Sequence, residues 1–304
     1  MRTYIKDLKQ KVGSEVTISG WVDVRRDHGK LIFLDIRDVS GKVQSVVLPN
    51  HKEAQEVAKQ LRSEWVVSMS GKVNERPAKM INADEANGTI EFEVFTVTVL
   101  SAAKELPFEL SADINIDTHL DNLPLTLRTP KHRAVFKIQA TITKAFRGFF
   151  DSQGFTEFQA PKLIGDDAEG GANSFNVEYF KHIAHLAQSP QLYKQIMVGI
   201  FERVYAIGNV YRAEKHSTTR HINEYTSLDI EMGFINDHED IMNIETAFLA
   251  HLTETLKTEC AAEFNLLGAT IPAVPEKIPR LSLREAQVLI TKETGKDCTK
   301  EPDL

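Results

Sequence analysis

Cysteine is scarce: Cys260 and Cys298 are the only two in 304 residues, and neither has a Cys/His cluster nearby. That excludes a disulfide framework and a zinc ribbon, and it favours a reducing compartment. No apolar run reaches the ~18 residues of a membrane span. The opening residues, Met1-Arg2-Thr3-Tyr4-Ile5-Lys6-Asp7, lack the apolar centre of a signal peptide. Internal repeats and low-complexity tracts are also missing. Basic charge is not in excess either, with 36 Lys+Arg against 43 Asp+Glu and a net charge of −7. A nucleic-acid partner stays open, because such footprints need only a local cluster of cations. What is present is 42% hydrophobic and 26% charged residues, the balance of an ordinary globular protein, in a chain long enough for about two domains. The expectation is a soluble cytoplasmic protein.

The first hundred residues read as all-β. Alternating or continuous apolar runs at Glu15–Val24, Leu31–Arg37, Lys42–Leu48, Trp65–Val73 and Thr89–Leu100 are separated by turns such as Asp38-Val39-Ser40-Gly41. Between the third and fourth run, His51–Arg62 places Ala54, Val57, Ala58 and Leu61 at helical spacing. Five strands with a helix in that position predict an OB-fold over residues 1–102, a barrel that binds single-stranded nucleic acid on its second and third strands. Residues 103–130, with Pro107, Pro124 and Pro130, read as a linker. From 131 to 304 the character is mixed, so the expected class of the whole chain is α+β. Val135, Ile138, Ile142, Phe146 and Phe149 predict an amphipathic helix that ends near Gly154. Further on come a helix at Gln191–Ile200, strands at Val204–Arg212 and Glu224–Phe234, and a helix capped by Asn236 or Asp237. A short helix at Ser282–Thr294 follows.

The strand Glu224–Phe234 carries the chemistry. Alternation puts Leu228, Ile230, Met232 and Phe234 on one apolar face, and Tyr225, Ser227, Asp229 and Glu231 on the other. The preceding strand ends in Arg212 and Glu214, and Lys215-His216-Ser217-Thr218-Thr219-Arg220-His221 forms the loop. An arginine fork suits phosphate and paired carboxylates suit an amine, so the hairpin presents a surface fit for both. A solvated sheet face with scattered ion pairs is the plainer reading of the same residues. Two further polar segments stand out: Ala168-Glu169-Gly170-Gly171-Ala172 and Gln188-Ser189-Pro190-Gln191-Leu192-Tyr193-Lys194-Gln195.

Taken together, the segment at 188–195, Tyr211-Arg212-Ala213-Glu214 and the run from Arg220 to Met232 resemble the class II aminoacyl-tRNA synthetases and, within them, the aspartate-specific branch in its archaeal/eukaryotic form. The resemblance spans nearly the whole chain. It implies an N-terminal five-stranded OB-fold that binds the anticodon. An antiparallel catalytic sheet flanked by helices follows, with motif 1 at Arg133–Pro161 forming a homodimer and motif 2 at Arg212–Glu231. It also implies ATP and Mg²⁺ as cofactors, L-aspartate as the amino acid, and tRNA(Asp) as partner.

Roles follow from the resemblance residue by residue. Arg212 clamps the ATP α-phosphate, Tyr225 stacks on adenine, and Glu214, Arg220 and His221 lie against ATP. Glu169 and Asp229 hold the α-ammonium of aspartate, Gln191 and Lys194 grip its polar end, and Lys194 separates aspartate from asparagine enzymes. Glu231 faces the metal-bound phosphates. Phe33 stacks on an anticodon base, Arg26 and Gln44 read base edges, and Ser217 and Thr218 meet the acceptor end. Two features depart from the family's pattern. The family's glycine-rich, arginine-ended third motif has no counterpart before Leu304, so the 304-residue chain is expected to be C-terminally incomplete and poorly active in charging. His28 resembles members that also charge tRNA(Asn), and is otherwise a plain loop histidine. The alternatives are a catalytically incomplete tRNA-binding paralogue, an amide-forming synthetase, against which the β domain counts, and a ligand-free structural dimer.

Overall fold

The computed structural model describes residues 1–110, 112–165, 174–215, 222–275 and 277–300. It divides into two compact units, Met1–Asp113 and Ile114–Leu304.

The first unit is a closed barrel of β1 (Glu15–Asp27), β2 (Ile32–Asp38), β3 (Gly41–Val47), β4 (Val66–Glu75) and β5 (Ile90–Ser101), with α1 (Lys52–Gln60) between β3 and β4. The strands follow the order β1-β2-β3-β5-β4 around the barrel, and β3 meets β5 in parallel. Alternation explains the closure: Ile32, Leu34 and Ile36 point inward with Ile18, Val22, Val67, Met69 and Phe92, and all are fully buried. At Gly71 an added Cβ would lie 2.0 Å from the carbonyl oxygen of Glu93, so only glycine lets β4 and β5 approach there. A 3-10 helix at Ile5–Lys11, which the sequence does not announce, plugs one end with Ile5 and Leu8. Asp38 fastens it by accepting from the Ile5 amide at 3.0 Å, while the other carboxylate oxygen accepts from the Ser40 amide at 2.7 Å.

In the second unit, α2 (Ile116–Asp121) and α3 (Leu123–Thr126) occupy part of the segment read as linker. Asn115 and Pro124 act as helix starters there, with the Asn115 side chain accepting from the Thr118 amide. The long helix α4 (Pro130–Ser152) is followed by β6 (Thr156–Glu157), β7 (Leu163–Ile164), β8 (Asn176–Tyr179) and β9 (His182–Leu186). Then come α5 (Gln191–Phe201), β10 (Arg203–Tyr211), β11 (Glu224–Met232), α6 (His238–Glu259), α7 (Ala261–Leu267) and α8 (Leu283–Thr294). One sheet has the order β11-β10-β6, antiparallel between β10 and β11 and parallel between β10 and β6; a second has the order β7-β9-β8. The β8–β9 hairpin and α7 are additions to the sequence-based expectation.

Helices α4 and α6 cover one face of the first sheet. Phe146, Phe149, Phe150, Phe155, Tyr205 and Phe248 form its core, with Leu228, Ile230 and Met232 packed against them. The buried line of α4 begins at Ala134 rather than Val135, which is 50% exposed. Phe234 is also corrected: β11 stops at Met232, and Phe234 has a φ of 54° and is 92% exposed. The chain has already left the pleat there, so the alternation no longer sets its direction. Asp237 is the cap of α6, accepting from the Glu239 amide at 2.8 Å.

Candidate active site

The other face of the first sheet is the polar one. Direct pairs in an antiparallel ladder share a face. Tyr225, Ser227, Asp229 and Glu231 therefore lie beside Val210, Gly208, Ala206 and Val204 of β10. The small and apolar β10 residues form a floor. Helix α5 packs over its Val204–Ala206 end through Tyr193, Met197 and Val198.

That packing delivers Lys194. It sits one helical turn into α5, where its amide bonds to the Pro190 carbonyl at 2.8 Å. Its Nζ donates to Asp229 Oδ1 at 3.2 Å and lies 3.8 Å from Glu231 Oε2. Its side chain is only 11% exposed and that of Asp229 15%, a setting in which an uncompensated charge is costly. Ser227 donates to the second Asp229 oxygen at 2.5 Å. An ammonium has three donors, so Lys194 keeps capacity for an incoming carboxylate, and Asp229 keeps lone pairs for an incoming ammonium. Gln191 stands three residues earlier on α5, near the same line of the helix.

Arg212 and Tyr225 occupy the opposite end of the hairpin. The Arg212 amide bonds to the Asn223 carbonyl at 2.9 Å, and Asn223 Nδ2 donates to the Arg212 carbonyl at 2.8 Å and the Glu214 carbonyl at 3.2 Å. Asn223 thus closes the mouth of the loop. Arg212 Nη1 lies 3.9 Å from Glu214, while its buried Nε has no hydrogen-bond partner among the described residues. Six residues of strand separate Tyr225 from Glu231, about 20 Å at the usual rise. The structure therefore brings Lys194, Asp229, Glu231 and Gln191 together at one end, and Arg212, Glu214 and Tyr225 at the other. Glu231 sits against the Lys194 ammonium rather than beside the arginine. Among the described residues no three His, Cys, Asp or Glu side chains are grouped to hold a metal ion. Glu169, Ser217, Thr218, Arg220 and His221 lie outside the described residues.

Nothing in the sequence singles out Lys162, yet the structure puts it on the polar face. Its Cε and Nζ lie 3.1 Å from where a Cβ on Gly208 would stand. Burial pushes its ammonium below the ordinary lysine range, and Asp229 partly offsets that. A lone lysine after a proline carries no signature; only the adjoining strands reveal its position.

The barrel presents its own outer face. Arg26 stands opposite Phe33, and Asp35 opposite Gln44, so all four share one surface. Asp35 accepts both arms of the Arg26 guanidinium at 2.9 Å, and Arg26 also reaches Gln44 at 3.4 Å. This carboxylate is why the Arg26 guanidinium is held even more firmly protonated than usual. The half-exposed ring of Phe33 meets the His28 ring edge-on at 5.6 Å.

Residues 115–302 match the family model for class II tRNA synthetases (D, K and N), and residues 16–100 match that for an OB-fold nucleic-acid-binding domain. The chain belongs to the class II aminoacyl-tRNA synthetases. It is 46% identical over 97% of its length to an aspartate–tRNA(Asp/Asn) ligase of Deinococcus radiodurans, covering 65% of that protein. It is 45% identical to the Thermus thermophilus enzyme of the same name, covering 67% of it. Among solved structures, an asparaginyl-tRNA synthetase from Pyrococcus horikoshii complexed with asparaginyl-adenylate superposes with a TM-score of 0.86 at 30% identity. The match covers 98% of this chain and 68% of that one. This synthetase chain thus spans about two thirds of the length of its relatives.

Proposed function

We propose that this synthetase activates L-aspartate with ATP and transfers it to the 3′ end of tRNA(Asp). The observation that carries the reading is the Lys194 ammonium, held between Asp229 and Glu231 on the sheet face of a class II synthetase. A fixed, half-desolvated cation beside carboxylates selects an amino acid with a negative side chain and a free ammonium. The aspartate α-carboxylate attacks the α-phosphorus of ATP, the bond to the β-phosphate oxygen breaks, and pyrophosphate leaves. The terminal ribose hydroxyl of tRNA then attacks the carbonyl carbon of the adenylate and expels AMP. No side-chain nucleophile is needed; the protein orients the reactants and stabilises charge. In this reading Arg212 holds the α-phosphate, Tyr225 stacks on adenine and Glu214 lies against the nucleotide. Gln191 and Lys194 bind the substrate's side-chain carboxylate, and Asp229 binds its α-ammonium. Glu169, Arg220 and His221 are assigned to the same ligands, with Ser217 and Thr218 at the acceptor end. Mg²⁺ supplies charge neutralisation of the phosphates when bound. Glu231, engaged by Lys194 and distant from Arg212, does not fit as its holder.

The tRNA is held in this proposal by the barrel face, with Phe33 stacking on an anticodon base and Arg26 and Gln44 against base edges. Several relatives are named for both tRNA(Asp) and tRNA(Asn). With the His28 ring against Phe33, that supports tRNA(Asn) as a second substrate. Homodimerisation through residues 133–161 is supported by Val135 and Phe136, 50% and 53% exposed on α4. A cytoplasmic setting belongs to the same proposal. Among the described residues no helix is long and apolar enough to cross a membrane.

ATP–pyrophosphate exchange tests the reading. The protein is expected to exchange with aspartate and not with asparagine, and Lys194→Leu is expected to lose about 150- to 5,000-fold. That loss corresponds to the roughly 3–5 kcal/mol for breaking a buried ion pair. Unchanged exchange in the variant, or equal exchange with asparagine, contradicts it.

A further inference from the structure

Lys162 is a cation on the substrate face that the roles above leave without a task. Its backbone is stitched into the sheet: the Ala187 amide bonds to the Lys162 carbonyl and the Tyr211 amide to the Ala187 carbonyl, each at 3.0 Å. This places Ala187 beside β10 and the Lys162 main chain one strand further out, with the side chain reaching back to Gly208. Gly208 pairs with Ser227, which lies between Asp229 and Tyr225 along β11. The ammonium thus stands midway along the face, between the amino-acid end and the nucleotide end. No carboxylate among the described residues stands within ion-pair reach of it, and Asp229 acts on it only through space.

A half-buried ammonium without an ion-pair partner among the described residues is stabilised when an anion arrives. We propose that Lys162 is a binding residue for the substrate oxyanion at the point where the two substrates join, either the α-carboxylate of the amino acid or the α-phosphate it attacks. The proposal rests on the reading of this face as the site of amino-acid activation. Gly208 is part of the device, since a Cβ there would stand 3.1 Å from the lysine tip and force it to shift.

Calorimetric titration of the protein with aspartate alone and with ATP alone tests it, using Lys162→Met, Lys162→Arg and Gly208→Ala. Lys162→Met is expected to weaken one of the two ligands about tenfold or more, with Lys162→Arg restoring most of the loss. Gly208→Ala, which keeps the charge, is expected to weaken the same ligand. A loss confined to aspartate assigns the carboxylate, and one confined to ATP assigns the phosphate. Unchanged affinity for both ligands in a Lys162→Met protein that melts like wild type overturns the proposal. So does an equal loss in Lys162→Met and Lys162→Arg, which marks a packing role. Wild-type protein that binds neither ligand removes the activation reading itself, and the inference with it.

Discussion

Asp229 takes a hydrogen bond from Ser227 and one from Lys194, and this shared carboxylate couples the Lys194 end of the face into one unit. Removing Ser227 frees an oxygen without removing charge. Ser227→Ala is therefore expected to raise the KM for aspartate several-fold while leaving that for ATP unchanged, and steady-state exchange kinetics check this split. On the barrel, Phe33→Ala is expected to weaken tRNA binding by about 1–3 kcal/mol, the range for loss of one base–aromatic stack. Filter binding against an unrelated RNA separates that loss from general electrostatic weakening. The polar face of β11 was legible because period-two alternation sorts Tyr225, Ser227, Asp229 and Glu231 from Leu228, Ile230 and Met232 without knowledge of neighbours. Lys162 was not legible, because its place depends on which strands lie beside it. Residue spacing also could not show that Glu231 sits against Lys194, since that contact needs the packing of α5 on the sheet.

At the scale of elements, α4 and α6 pack through aromatic rings, with Phe146 and Phe248 edge-to-face at 5.2 Å. Phe248→Ala removes a buried ring from this cluster, and a cost of about 3–5 kcal/mol is expected, read as a lower denaturation midpoint at unchanged slope. The α2–α4 junction adds a pH dependence. His119 and His132 stack with ring centres 4.3 Å apart. Burial, with the nearby His119 and Lys131 charges, holds the His132 imidazole below the ordinary histidine value. The unfolded chain then binds the proton first as pH falls. This contribution is complete above the ordinary histidine value of about 6.5, and it is lost as pH falls from there through the folded-state value. Melting temperature is expected to drop between neutral and mildly acidic pH, and less so in His132→Asn. The elements of longest periodicity, α4, α6 and the barrel strands, were readable in advance. The β8–β9 hairpin and α2 and α3 were not. Their few residues each carry too short a pattern to stand out from loop.

For the molecule as a whole, the barrel unit Met1–Asp113 has its own closed core. Residues 1–113 alone are expected to unfold in one cooperative transition and to bind an anticodon stem-loop; a broad, non-cooperative melt contradicts this. With a net charge of −7, the proposed RNA contacts must rest on a local cluster of cations, so affinity for tRNA is expected to fall linearly on a log–log plot against salt. The proposed chemistry requires one sheet face to join an acidic amino acid to a nucleotide. A crystal structure with a non-hydrolysable aspartyl-adenylate analogue tests it most directly. The side-chain carboxylate is expected on Lys194, the α-ammonium on Asp229 and the adenine against Tyr225. An analogue bound elsewhere, or one whose side-chain carboxylate points away from Lys194, contradicts it.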